Sequence, residues 1–125
     1  MNSLLIEGKS STPTVIFNES GVLSITGRSI PEHPIKFYKP VEDWLSKFLS
    51  KSPEKVYLKI QLDYLNTHST ECVLSLLKML ESYSKLGETE LLVLWNFEED
   101  DEDMETLGND LKSLLQIPFK VEEIV

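Results

Sequence analysis

"KVYLKIQLDYLNTHSTECVLSLLKML", residues 55–80, changes its hydrophobic period part-way along. In its first half Val56, Leu58, Ile60, Leu62 and Tyr64 alternate with Lys55, Tyr57, Lys59, Gln61 and Asp63. That is the pattern of a strand with one dry face and one wetter face. Further on, Val73, Leu76, Leu77, Leu80 and Tyr83 recur at helical spacing, predicting an amphipathic helix over about 68–86. Gly87 follows at a place suited to the left-handed backbone past a helix end. A strand that feeds a helix across a short polar join is the unit from which α/β sheets are built.

The flanking sequence extends the same alternation. After a start at "SLLIEG", the segments "TVIF" and "VLSITG" flank Asn18-Glu19-Ser20-Gly21, where Gly21 can take positive φ, so they read as a hairpin. From Pro40, "VEDWLSKFLS" places Val41, Trp44, Leu45, Phe48 and Leu49 on one helical face, with Pro40 in the first turn. "ELLVLWNF" (90–97) is apolar on both alternating faces, as a central strand covered on both sides would be. Met104, Leu107, Leu111, Leu114 and Leu115 then repeat helically, Pro118 ends that helix, and "FKVEEIV" closes as a strand. Two or three strands, then helix, strand, helix, strand, helix, strand, predict an α/β fold. Its sheet is mixed, with an antiparallel hairpin followed by right-handed parallel crossovers. With 125 residues and no repeat or linker, one domain over 1–125 is expected.

Charge narrows the partners. The formal net charge of −9 is carried by the last third: residues 1–40 sum to +1, 41–88 to −1 and 89–125 to −9. No basic stripe or basic–aromatic interleaving is present, so nucleic acid and anionic membranes are poor partners. The apolar runs fall far short of the roughly 20 residues that span a bilayer. A single cysteine, Cys72, excludes an internal disulfide and fits a reducing compartment, so the cytoplasm is expected.

The join itself, "LNTHST" (65–70), is crowded with Asn66, Thr67, His68, Ser69 and Thr70. It lies beyond the carboxyl end of a strand, where α/β sheets place their binding loops. Asn66 or Thr67 is a plausible N-cap. His68 to Glu71 contain no apolar residue, which predicts an exposed first turn. Capping needs one such residue, not five. A hydroxyl at a helix N-terminus is also where an added phosphate is best tolerated, because free N–H groups and the positive end of the dipole receive its charge. A phosphate there would alter the surface without breaking the core, and so could switch a partner interface.

This exposed hydroxyl after a central strand resembles the anti-sigma-factor antagonists (STAS domains). Three ordered blocks then point to a more specific family: "STPTVIFNESGVLSITGRSIPEHPIKFYKPVEDWL" (11–45), "LDYLNTHST" (62–70) and "VLWNFEEDDEDMETLGNDLKSLLQIPFKVEEI" (93–124). Together they resemble the SiaC family of bacterial regulatory phosphoproteins. The resemblance implies a STAS-like fold without catalysis or cofactor. It also implies a central-loop threonine that is phosphorylated by a cognate serine/threonine protein kinase and freed by a PP2C-type phosphatase. The unmodified form would activate a signalling partner, for some members a diguanylate cyclase. The family's threonine falls on Thr67, after Asn66. The chain departs from the family pattern at His68, where serine is usual, and at Glu71, where lysine is common. Ser69 and Thr70 stay open as alternative acceptors.

Other constellations are weaker. His68 and Cys72 could share a helical face as base and nucleophile, but no orienting group or oxyanion site accompanies them. His33, in "PEHP", is remote in sequence from His68, and two histidines are too few ligands for a zinc site, so no metal is expected. Residues 98–105 hold seven acids without the glycine and ligand alternation of an EF-hand calcium loop. They suit the start of the Met104–Leu115 helix through its dipole, and Asp101 and Asp103 could also dock a basic partner. The block "GRSIPEHPIKFYKP" reads as an ordered loop holding Arg28, Glu32, Phe37 and Tyr38 as partner-binding candidates. The alternative function is a small-molecule- or metal-binding domain that uses the acidic C-terminal region.

Overall fold

The computed structural model describes residues 1–87 and 89–124. Val125, the last residue of the expected closing strand, lies outside them. Strands β1 (Leu4–Ile6), β2 (Thr14–Phe17) and β3 (Val22–Ser29) are followed by helix α1 (Pro34–Ser50) and strand β4 (Lys55–Leu65). Then come α2 (Thr67–Ser84), β5 (Glu90–Phe97), α3 (Glu102–Ser113) and β6 (Phe119–Glu123). The six strands form one sheet in sequence order, antiparallel between β1, β2 and β3 and parallel from β3 to β6. This is the expected α/β fold with a mixed sheet and an N-terminal hairpin. The hairpin turn closes through the Gly21 amide donating to the Asn18 carbonyl, with Gly21 at φ 99°.

Three consecutive right-handed crossovers in the order β3-β4-β5-β6 bring every helix to the same side of the sheet. The register shows it. Phe17, Leu23, Leu58, Val93 and Phe119 form one cross-strand row, and all are buried. Trp44 of α1 packs edge-on against Phe17, with ring centroids 5.6 Å apart. Trp95 lies one step along the same face and donates from Nε1 to the Met104 carbonyl of α3 at 2.9 Å. Gly108 of α3 sits so close to the Trp95 indole that a Cβ there would clash with its Cδ1.

Among the described residues the opposite face carries no helix. β5 is therefore not covered on both sides as its composition suggested: Leu91, Val93, Trp95 and Phe97 are buried, whereas Leu92 and Leu94 are only half-buried on the open face. Leu5, Ile16 and Val22 are exposed there too. An apolar run records the hydrophobicity of both faces, but the hand and order of the crossovers decide which of them is covered.

Three further local expectations change. First, α1 begins at Pro34, not near Pro40. Pro34 is preorganised for a helix start, and Pro34, Tyr38, Val41, Leu45 and Phe48 then form one buried stripe. Pro40 lies inside the helix on its exposed side, where the missing N–H removes one bond. Second, α2 ends at Ser84 and is capped by Lys85 in right-handed geometry; Gly87 does not have positive φ. Third, Tyr64 is exposed although Val56, Leu58, Ile60 and Leu62 are buried, because a register irregularity at Gly27/Arg28 interrupts the ladder beside it.

Candidate functional site

Because β3, β4 and β5 are parallel, α1, α2 and α3 all begin at the same edge of the sheet. The β4–α2 join is the middle one. Asn66 is the N-cap: its backbone is extended and its Oδ1 accepts from the Ser69 amide at 2.9 Å, while its carbonyl accepts from the Thr70 amide. The Asn66 amide donates to the Ser29 carbonyl at 3.2 Å, tying the join to the end of β3. This arrangement leaves the amides of Thr67 and His68 in the first turn without an intrahelical acceptor.

The five polar residues separate by environment. Thr67, the first helical residue, is exposed, and so is His68. Ser69 is fully buried, and its hydroxyl has no partner among the described residues. Thr70 is half-buried, and its Oγ1 donates back to the Asn66 carbonyl at 3.0 Å. The first turn is thus not uniformly exposed. A helix turns about 100° per residue, so Ser69 is carried toward the sheet while Thr67 and His68 face outward. As acceptors of a modifying group, Ser69 is enclosed and Thr70 is committed.

Tyr38, expected to offer surface to a partner, is only 2% exposed. It belongs to the buried stripe of α1, and its hydroxyl shares a 2.6 Å hydrogen bond with the hydroxyl of Ser29. Burial pushes the phenol pKa up to about 12, with the hydrogen bond opposing the shift. Phe37 is half-buried and packs edge-on against Tyr38. Arg28 is the penultimate residue of β3 and Glu32 lies in the β3–α1 connection, both exposed at the same sheet edge as Thr67.

Asp101 and Asp103 lie at the start of α3. Asp101 caps it, accepting from the Met104 amide at 3.1 Å, and Glu102, Asp103 and Glu105 occupy its first turn. Asp101 opens onto its own recess with Asp100 and Glu123, which shares no residue with the surroundings of His68. Among the described residues no group of three or more His, Cys, Asp or Glu is gathered as a metal ion would require. His68 and Cys72 do face the same groove. There burial and the carboxylates of Glu42 and Glu71 push the Cys72 thiol above its ordinary pKa, which lowers its thiolate fraction at neutral pH.

The sequence reading missed the groove itself. It runs between α1 and α2 from Pro34 and Ile35 down to Glu42 and Ser75, as two adjoining recesses of about 730 and 390 Å³ that share Ile35 and His68. Starting α1 at Pro40 hid its α1 wall; Pro34 as a helix start was the available signal.

The SiaC family regulatory phosphoprotein model matches residues 6–124. The chain belongs to the SiaC family. SiaC of Pseudomonas aeruginosa superposes with a TM-score of 0.90 at 26% identity, covering 99% of this chain and all of that one. The structure of the diguanylate cyclase SiaD in complex with its activator SiaC, from the same organism, gives 0.91 at 28% identity over 97% of this chain and 99% of the matched chain. A protein of P. aeruginosa strain UCBPP-PA14 is 28% identical over 98% of this chain and 97% of its own length. In the SiaC family the chain is a regulatory protein, as the sequence resemblance implied. No helix among the described residues is long and apolar enough to cross a membrane.

Proposed function

We propose that this chain, as a single cytoplasmic domain, binds and activates a diguanylate cyclase, and that reversible phosphorylation of Thr67 switches the binding off. A serine/threonine kinase adds the phosphate and a PP2C-type phosphatase removes it. Support for the target comes from the SiaC–SiaD complex of P. aeruginosa. The observation that carries the switch is the sorting of hydroxyls at the β4–α2 join: Thr67 stands in solvent at the first position of α2, while Ser69 is enclosed and Thr70 bonds back to the chain.

The chemistry is electrostatic. A phosphothreonine brings nearly two negative charges to a helix end whose free amides and dipole stabilise them. Glu71, in the following turn, opposes this stabilisation. The core need not move, so the change is confined to the surface presented to the partner.

Incubation with the cognate kinase and ATP should add one phosphate by intact mass, mapped by fragmentation to Thr67. Thr67→Ala should refuse the phosphate and retain cyclase binding, and Thr67→Asp should lose binding. Equal binding by the two variants, or a phosphate mapped elsewhere, would sink the reading.

A further inference from the structure

The groove between α1 and α2 has walls of regular construction. Ile35, Tyr38 and Glu42 of α1 are spaced i, i+3, i+7, and His68, Glu71, Cys72 and Ser75 of α2 are spaced i, i+3, i+4, i+7. Each wall is therefore one stripe of its helix, about two turns or roughly 10 Å long. That length matches two turns of a third helix laid between them. Ile35 is 80% exposed at the upper end, an apolar side chain that nothing among the described residues covers.

The charges are uneven along the groove. Toward the upper end Lys39 is already paired with Asp43 at 2.9 Å, and Glu32 and Lys36, of opposite charge, both line the recess. Toward the lower end Glu42 and Glu71, one from each wall, flank Cys72, and among the described residues neither carboxylate has an ion-pair partner. Two unpaired acids facing one slot suit a cation, and the apolar upper end suits an aliphatic side chain. His68, next to Thr67, forms part of both recesses, so the phosphate acceptor adjoins the groove's upper mouth.

We infer that the α1–α2 groove receives a helical segment of the cyclase that places an apolar side chain against Ile35 and a lysine or arginine between Glu42 and Glu71. This rests on the function proposed above and specifies how the partner is recognised.

Cys72, the sole cysteine, supplies a built-in reporter inside the groove. Its alkylation by N-ethylmaleimide is followed at slightly alkaline pH with the unmodified protein alone and with saturating full-length cyclase. Binding is measured in parallel by sedimentation velocity. Protection of Cys72 by tenfold or more is expected. Glu42→Lys combined with Glu71→Lys should weaken binding by tenfold or more, as should Ile35→Asp, with circular dichroism showing that both proteins remain folded. Binding with Cys72 alkylated at its free rate would overturn the groove as the docking site while leaving the proposed function intact. Absence of cyclase binding overturns that function and the groove assignment with it. Protection that rises with the concentration of this chain alone would assign the groove to a second copy and overturn the assignment to cyclase. Binding unaffected by both sets of substitutions would also overturn it.

Discussion

Asn66 Oδ1 and the Ser69 amide stand 2.9 Å apart, and that single bond fixes where α2 begins. It makes Thr67 the first helical residue and turns Ser69 inward, so a capping contact also decides which hydroxyl meets solvent. Asn66→Ala should lower unfolding stability by about 1 kcal/mol, the usual value of an N-cap. It should also slow phosphorylation of Thr67 as the first turn frays, whereas Asn66→Asp should retain the stability. Urea denaturation and a timed kinase assay test both; an unchanged denaturation midpoint for Asn66→Ala would contradict the capping role.

Ser69 is buried with a hydroxyl that has no partner among the described residues, so Ser69→Ala should be neutral or stabilising by up to about 1 kcal/mol, because a desolvated donor without a partner is removed. Phosphate incorporation should be unchanged. Loss of the phosphate in Ser69→Ala, with retention in Thr67→Ala, would move the acceptor to residue 69.

Tyr38 and Ser29 share a buried hydrogen bond between α1 and the strand whose last carbonyl holds Asn66. Tyr38→Phe strands the Ser29 hydroxyl and should be destabilising by about 1–3 kcal/mol. The pH dependence has a definite sign. The folded phenol keeps its proton up to about pH 12, whereas an unfolded tyrosine loses it near 10. Above the unfolded value the native state binds more protons, so stability falls as pH rises from about 10 to 12. That part of the alkaline decline should be absent in Tyr38→Phe, as measured by denaturation midpoints over this range.

Gly108→Ala should be destabilising by about 1–3 kcal/mol, even though alanine is the better helix former. The new methyl group would meet the Trp95 indole, which is fully buried and held by its bond to the Met104 carbonyl. A raised thermal midpoint would show that the ring can yield.

Much of this molecule is legible in its sequence because near-neighbour rules write it there. The alternation of 56–62, the stripe at 73–80, the Asn18–Gly21 turn and the acidic start of α3 each follow from periodicity, turn sterics or helix-end electrostatics. Phe37 and Tyr38 lie in α1 and not in a loop, and the local sequence disguises it. Three prolines in ten residues look like a loop, yet Pro34 starts a helix and Pro40 rides its solvent side. The α1–α2 groove was out of reach because its walls come from segments about 30 residues apart.

By itself the sequence determined the order and kind of the elements, the family, and the position of the polar join after β4, because those depend on side-chain spacing and backbone preferences along one stretch of chain. Only the tertiary structure decided that Thr67 faces water while Ser69 does not, that Tyr38 is core, and that one face of the sheet is left open. Burial is a property of what packs against a residue from elsewhere in the chain, and here the hand and order of the crossovers fixed those neighbours.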